Sequence, residues 1–260
     1  GLVDAEREFH RTPQHWKRDI NFFRLGYLCY YVDECLLIRY RDDQRDLKRV
    51  SYTDPSDLFL NGVIDTRRGT CANMAMLHVA LGWRLGWPVS LACVGSHLIC
   101  RYDDGKVTHN VEATKTGGHG FHSHPDKYYI REHHLPRVAV ECGSDLRALT
   151  PQEMLGIFFG LRARHFVDIN RDDLAESDYL TARSLFPNNR HLHFCQMMAS
   201  VQYGMRLFAT DEPGHPIEFA NWMRDLVATK PWERIVKITK EPTHADSNSG
   251  YRYDESGRQK

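Results

Sequence analysis

The sequence predicts an α+β fold with a central helix packed on an antiparallel sheet, N-terminal helices before this core and a helical extension after it. Three features predict this fold. Residues 70–86 form an unbroken, mostly apolar segment of helical length. The segment Asp103-Asp104-Gly105-Lys106 lies between two apolar runs and is typical of a hairpin turn. From residue 150 onwards the sequence changes to segments with helical spacing of apolar residues.

The elements before the central helix are predicted to be helical. Apolar residues recur at spacings of three and four, which indicates a helix over residues 14–50, with a charged face or loop at 39–49. Pro55 then fixes a turn, and a short helix is expected to end near Gly69.

The elements after the central helix are predicted to be strands. Short apolar runs rich in β-branched residues indicate strands at 89–94, 96–102 and 107–114. A Gly- and His-rich loop is expected at 115–136, and another short strand at 138–142.

The C-terminal part is predicted to be helical, beginning with a capping box formed by Thr150 and Glu153. Residues 178–189 resemble half of a tetratricopeptide repeat. Helices are expected at about 151–167, 171–185, 189–208 and 216–229. The predicted domains are a core with N-terminal helices at 1–149, a helical extension at 150–239 and a disordered tail at 240–260.

Composition excludes several classes of partner. Lys+Arg and Asp+Glu both total 34, so no net charge draws the chain to nucleic acid or to an anionic membrane. No apolar run approaches the roughly 20 residues that span a bilayer. The 7 cysteines are an odd number, lie in apolar stretches and lack C-x-x-C spacing, which favours a reducing compartment and predicts a cytoplasmic location.

Cys71 is the candidate nucleophile, because it is expected at the start of the central helix. First-turn amides of a helix carry partial positive charge, which stabilises a thiolate. Gly69 allows a tight turn that keeps the approach to the sulfur open. The alternative is an inert cysteine buried on a core helix.

His97 and Glu112 are the candidate acid–base pair. A turn centred on Asp104-Gly105 would place Asp103 opposite Lys106, and therefore His97 directly opposite Glu112 on the same face. An imidazole next to a carboxylate is what a thiol nucleophile requires. Asn110 lies on the same face, two residues from Glu112. If the register of the hairpin slips by two residues, Asn110 would orient the ring of His97 instead of Glu112. A plain surface salt bridge is the alternative interpretation.

These motifs resemble the transglutaminase-like superfamily. The resemblance covers about residues 50–230 and rests on four segments: 57–71, ending in Arg-Arg-Gly-Thr-Cys71; the helix that follows, through Leu85-Gly-Trp-Pro-Val; Gly95-Ser-His97-Leu-Ile-Cys-Arg; and 110–118, beginning Asn110-Val-Glu112-Ala-Thr. It is closest to a bacterial branch in which tetratricopeptide-like helices follow the core. The resemblance implies a papain-like α+β fold and a thiol triad of Cys71, His97 and Glu112.

The sequence departs from the family pattern at two points. Glu112 stands where the family usually has Asp, and a longer carboxylate requires a shifted geometry. Without an evident aromatic or Gln donor upstream of Cys71, the Cys71 amide and Asn73 are the candidate oxyanion donors. Many members of the bacterial branch lack the cysteine, and its presence here favours activity.

Further candidates lie after Glu112, in the loop that contains five histidines. His122 and Tyr128 are candidate substrate or flap residues, because this loop leaves the strand that carries Glu112. The loop is also a candidate site for zinc or another transition metal. Its histidines are His119, His122, His124, His133 and His134.

The predicted function is a thiol enzyme that hydrolyses an amide or transfers its acyl group, with a protein or peptide as substrate. No cofactor is expected, and no acidic loop of the type that binds calcium is present. Two alternatives stay open: a catalytically silent binding or regulatory protein with the same fold, and a metal-binding protein that uses the histidine loop. The C-terminal helices are a candidate surface for a protein partner.

Overall fold

The structure is a computed structural model that describes residues 2–41, 43, 51–114, 121–209 and 215–229. Its architecture is α+β, as predicted. The helices are α1 Leu2–Arg11, α2 Ile20–Tyr30, α3 Leu60–Thr66, α4 Cys71–Arg84, α5 Asp126–Glu132, α6 Arg137–Glu141, α7 Pro151–Asp168, α8 Asp172–Leu185, α9 Arg190–Ala209 and α10 His215–Thr229. The strands are β1 Arg39–Tyr40, β2 Arg68–Gly69, β3 Val89–Val94, β4 His97–Asp103 and β5 Thr108–Val111.

The chain divides into two compact units. The first contains Gly1–Val50 and Asp54–His133, and the second contains Ser51–Thr53 and His134–Lys260. The domain limits predicted from the sequence stay predictions, and the tail at 240–260 lies outside the described residues. In the part of the chain that is described, no helix combines the length and apolar character that crossing a membrane requires.

The N-terminal part of the first unit is not the continuous helix predicted over residues 14–50. A helical turn at Pro13–Trp16 ends at Lys17 and Arg18, whose backbone is left-handed with φ of 56° and 57°. A new helix, α2, then begins with Asp19 as its cap. After α2 the chain passes through a π-helical turn, Tyr31–Cys35, and reaches β1, which pairs in parallel with β2. Among the described residues of this stretch, the predicted helix is present as α2 and as the short helical turns Pro13–Trp16 and Tyr31–Cys35. Residues 42 and 44–50 lie outside the described part of the chain.

The central helix α4 packs on β3 and β4 of a three-stranded antiparallel sheet with the order β3-β4-β5. The predicted hairpin exists, but its predicted register is wrong by two residues: Asp103 pairs with Thr108 and Arg101 with Asn110. The loop is longer than expected because the side chain of Asp104 accepts hydrogen bonds from the amides of Lys106 and Val107.

Two short helices replace predicted loop and strand. Helix α5 lies within the stretch predicted to be a loop, and α6 lies where a strand was predicted at 138–142. Pro125 and Pro136 occupy the residue before each helix, and proline at a helix start needs no hydrogen-bonded amide. Residues 115–120 are outside the described part of the chain.

The second unit is built on the four long helices predicted for it, α7 to α10, with the capping box at Thr150 and Glu153 confirmed. Close packing of α7 on α8 favours glycine: a β-carbon on Gly156 would lie 3.0 Å from the carbonyl oxygen of Ala182. The core between these helices includes buried Ala163, Val167, Ala175, Tyr179 and Ala199.

Candidate active site

Cys71 is the first residue of α4, where the sequence analysis placed it. Thr70 caps this helix: its Oγ1 accepts a hydrogen bond from the amide of Ala72 (3.2 Å) and donates one to the carbonyl of Asp57 (2.7 Å). Cys71 is partly exposed and its side chain packs against a buried apolar cluster. The sulfur is therefore held at the positive end of a helix dipole on a supported backbone.

Asn73 holds this helix start together and does not face a ligand. Its side chain is fully buried, Oδ1 accepts a hydrogen bond from the amide of Thr70 (2.7 Å), and Nδ2 donates to the carbonyl of Ser56 (3.1 Å). This completes a capping box with Thr70. The expectation that Asn73 lines the substrate site or donates to an oxyanion is therefore corrected, because the amide is used and shielded.

His97 lies between Cys71 and Glu112. Its Nε2 lies 3.0 Å from Oε1 and 2.9 Å from Oε2 of Glu112, and its ring also makes a hydrogen bond with the thiol of Cys71. Because Glu112 engages Nε2, Nδ1 is the ring nitrogen left for the sulfur. The predicted pairing of His97 with Glu112 thus exists in spite of the wrong register, as a diagonal contact on one face of the hairpin.

The pKa values of His97 and Glu112 are shifted in opposite directions, and each shift favours the charged form of its group. Burial disfavours the charged form of His97, but the hydrogen bonds to Cys71 and Glu112 outweigh it and raise the pKa of His97 to about 10. Burial likewise opposes ionisation of Glu112, but His97 and Thr114 outweigh it and lower the pKa of Glu112 to about 2. At neutral pH an imidazolium therefore lies next to a carboxylate.

Thr114 is a residue of the site that sequence reasoning missed. Its Oγ1 donates a hydrogen bond to Oε1 of Glu112 (2.6 Å), and its amide donates a second to the same oxygen (3.1 Å). An acid followed two positions later by Thr is a sequence pattern from which this turn could have been predicted. Thr114 fixes the carboxylate that in turn contacts His97.

Asn110 does not serve as the orienting residue. Its Oδ1 accepts a hydrogen bond from Arg101 (2.7 Å), and its Nδ2 donates to Asp126 (2.7 Å) and to the carbonyl of His124 (3.1 Å). These contacts tie the hairpin to the first turn of α5. Glu112 occupies the position beside His97 instead.

His122 and Tyr128 lie on the segment that returns to the sheet after Glu112. The carbonyl of His122 accepts a hydrogen bond from the amide of Glu112 (2.8 Å), and the ring of Tyr128 stacks on His124 with centroids 3.8 Å apart. Their role as flap or substrate residues stays a prediction. Over the described residues, which leave out His119, no group of three or more His, Cys, Asp or Glu is placed to hold a metal ion.

Two further residues beside the site, Tyr129 and His133, belong to α5 and its C-terminal cap. The ring of His133 lies parallel to that of His97, at 5.6 Å between centroids and 5° between planes. Tyr129 is fully buried, and its hydroxyl has no hydrogen-bond partner among the described residues. Neither role was predicted, because α5 itself was not.

Most other thiols of the chain are unsuited to act as nucleophiles. Burial raises the pKa of Cys29, Cys100 and Cys142. Burial also raises the pKa of Cys195 to about 11, although this thiol lies 3.3 Å from Nε2 of His191. Cys35 is exposed.

A cavity of about 750 Å³ lies within the second unit, between α8, α9 and α10. Its lining includes Tyr203 and Trp222 together with carboxylates such as Glu176 and Asp225. None of Cys71, His97 and Glu112 lines it.

Comparison with known proteins gives one match. The family model described as transglutaminase-like superfamily matches residues 36–157, a stretch that contains Cys71, His97 and Glu112. Searches of curated proteins and of solved structures gave no match. Over this stretch, which is less than half of the chain, the protein is similar to that superfamily. The bacterial branch and the tetratricopeptide-like extension stay predictions.

Proposed function

We propose that this protein is a cysteine enzyme that acts on an amide bond through Cys71, His97 and Glu112. The observation that carries the proposal is the position of the His97 ring, which is hydrogen-bonded to the thiol of Cys71 and, through Nε2, to the carboxylate of Glu112. The match of residues 36–157 to the transglutaminase-like superfamily supports it, because that fold is commonly built around such a thiol. The proposed substrate is a protein or a peptide.

The proposed reaction has two balanced steps. The Cys71 thiolate attacks the amide carbonyl, the C–N bond breaks, and the His97 imidazolium gives its proton to the departing nitrogen. Water or an amine then attacks the thioester and loses a proton to His97, and the C–S bond breaks to restore the thiolate. Glu112 holds the ring and stabilises its charged form throughout. These residues require no cofactor for either step.

The proposal is tested by the reactivity of Cys71. The exposed thiol of Cys35 would also react, so the measurement uses Cys35→Ser as the parent and Cys35→Ser/Cys71→Ala as the blank. We expect iodoacetamide to alkylate the folded parent rapidly near neutral pH and the blank slowly. His97→Ala in the same parent should slow this alkylation, because the thiol loses its proton acceptor.

A second measurement identifies the acceptor, water or an amine, that attacks the thioester. The parent and the blank are incubated with a disordered glutamine-containing protein and a fluorescent primary amine. Incorporated amine indicates acyl transfer, ammonia released without amine incorporation indicates deamidation, and shortened chains indicate proteolysis. Any of these, if lost in the blank, supports the proposal. A Cys71 that alkylates only on unfolding, together with no product, would instead identify a non-catalytic binding protein.

A further inference from the structure

The environment of His97 contains a second imidazole that the proposed reaction does not use. The rings of His97 and His133 are offset and parallel, with centroids 5.6 Å apart. His133 is exposed, whereas the side chain of His97, the first residue of β4, is only 16% exposed. An exposed imidazole is thus stacked on a mostly buried one.

His133 is held in this position by the residue one turn before it. It is the C-terminal cap of α5, and its amide donates a hydrogen bond to the carbonyl of Tyr129 (3.0 Å). The two rings also stack, with centroids 6.0 Å apart. Because Tyr129 is fully buried, it anchors His133 to the core of the first unit.

Helix α5 is itself fixed to the sheet by a largely buried ion pair. Nη1 and Nη2 of Arg101 on β4 donate to the two carboxylate oxygens of Asp126, at 2.8 Å and 3.3 Å. Arg101 is only 4% exposed, and Asn110 on β5 bonds to both partners. A bidentate pair of this kind specifies orientation as well as proximity. The position of His133 over His97 is thus determined by the fold of the first unit.

We propose that His133 is a positioning residue that covers the outer face of the His97 ring, fixes its plane and keeps water from its hydrogen bond to Glu112. A hydrogen bond that is shielded from water is stronger than an exposed one. A ring that is free to tilt about its side-chain bonds would lose alignment with the thiol. The consequence for reactivity rests on the proposed function, whereas the shielding of the His97–Glu112 bond does not.

Two variants of His133 separate stacking from other roles. His133→Ala removes the covering ring, and His133→Phe keeps a flat ring of similar size without its nitrogens. His134→Asn is the matched control, because His134 is the neighbouring exposed histidine and asparagine tolerates its left-handed backbone, φ 49°. Circular dichroism confirms that each variant is folded.

The first readout is the imidazole N–H proton that His97 shares with Glu112. A shielded proton in such a bond gives a downfield ¹H NMR signal that exchanges slowly with water, and His97→Gln identifies it by its loss. We expect the signal in the unmodified protein, in His133→Phe and in His134→Asn, and its loss by exchange in His133→Ala. Persistence in His133→Ala, or equal loss in His133→Phe, would overturn the inference.

The second readout is the alkylation rate of Cys71 in the Cys35→Ser parent. We expect it to fall in His133→Ala, by up to the roughly hundredfold loss that a misplaced catalytic group causes, and to recover in His133→Phe. If Cys71 is alkylated fast in the parent and the NMR signal is unchanged in His133→Ala, the inference is refuted and the proposed function stands. If Cys71 is alkylated slowly in the parent but His133→Ala abolishes the NMR signal, the proposed function is refuted and the shielding of the His97–Glu112 bond is confirmed.

Discussion

At the scale of single residues, the site is a chain of hydrogen bonds that runs from the backbone to the sulfur. Thr114 holds one oxygen of Glu112, Glu112 engages Nε2 of His97, and His97 bonds to Cys71. Because Glu112 engages Nε2, Nδ1 is the ring nitrogen that can serve the thiol. The longer side chain of Glu112, compared with an aspartate, reaches His97 from a position beyond the end of β5.

The first prediction concerns Glu112→Gln, which removes the charge and keeps the shape. The pKa of Glu112 falls from 4.5 to about 2 on folding, so its contribution to the free energy of unfolding is present above about pH 4.5 and lost as the pH falls through 2. The pKa of His97 rises from 6.5 to about 10, so its contribution is present below pH 6.5 and lost as the pH rises through 10. The pair therefore stabilises the fold most between about pH 4.5 and pH 6.5, where both contributions are fully present.

Breaking a buried pair costs about 3 kcal/mol, so urea unfolding near pH 5.5 should show Glu112→Gln destabilised by about that amount. The difference from the unmodified protein should shrink towards pH 2 and pH 10. The control is Glu132→Gln, which removes one carboxylate from the exposed end of α5. A Glu112→Gln difference that is constant with pH would contradict the ion pair.

At the scale of elements, the start of α4 decides where the sulfur lies. The hydroxyl of Thr70 accepts from the helix and donates to the carbonyl of Asp57, so it joins α4 to the turn before α3. Asn73 makes the reciprocal contact through the amide of Thr70. A cap of this kind fixes the first turn, on which Cys71 is the first residue.

The second prediction is that Thr70→Val, which keeps the shape and removes the hydroxyl, destabilises the protein by about 1–2 kcal/mol in urea unfolding. Thr70→Ser keeps the hydroxyl and should lose less. In the Cys35→Ser parent, Thr70→Val should also slow alkylation of Cys71, because the first turn is no longer fixed. A Thr70→Val variant with full stability and full reactivity would show that the cap does not position the sulfur.

The secondary-structure elements also show which features of the fold can be predicted from the sequence. The pairing of His97 with Glu112 was predicted from a wrong register, yet it holds, because a slip of two residues leaves every side chain on the same face of a strand. The long helices of the second unit carry a clear period and capping signals, and they were predicted closely. Helix α5 was missed because it is short and lies in a segment whose composition is typical of loops.

The role assigned to His133 could not be predicted from local sequence. It depends on where α5 lies, and α5 is placed by the ion pair between Arg101 and Asp126, two residues far apart in the chain. The role predicted for Asn110 was wrong for a similar reason, because its side chain bonds to Arg101 on β4 and to Asp126 on α5. Local patterns predict secondary structure and shared faces, whereas contacts between distant elements require the fold.

At the scale of the whole molecule, the residues proposed for catalysis all belong to the first unit, and the second unit has a helical core of its own. Units with separate cores can unfold separately. The chain offers a matched pair of glycines to test this. A β-carbon on Gly62 in the first unit would lie 1.9 Å from the carbonyl oxygen of Ser56, and one on Gly156 in the second would lie 3.0 Å from that of Ala182.

The third prediction is that Gly156→Val lowers the urea midpoint for loss of helical circular dichroism and leaves fast alkylation of Cys71 unchanged in dilute urea. Overpacking of this kind costs about 1–3 kcal/mol, and it falls on α7 and α8 alone. Gly62→Ala should do the reverse: it forces a backbone clash beside the turn that supports Thr70, so the fast alkylation is lost first. If Gly156→Val abolished the reactivity of Cys71 at urea concentrations where the sheet persists, the thiol site would depend on the helical unit and could not be a property of the first unit alone.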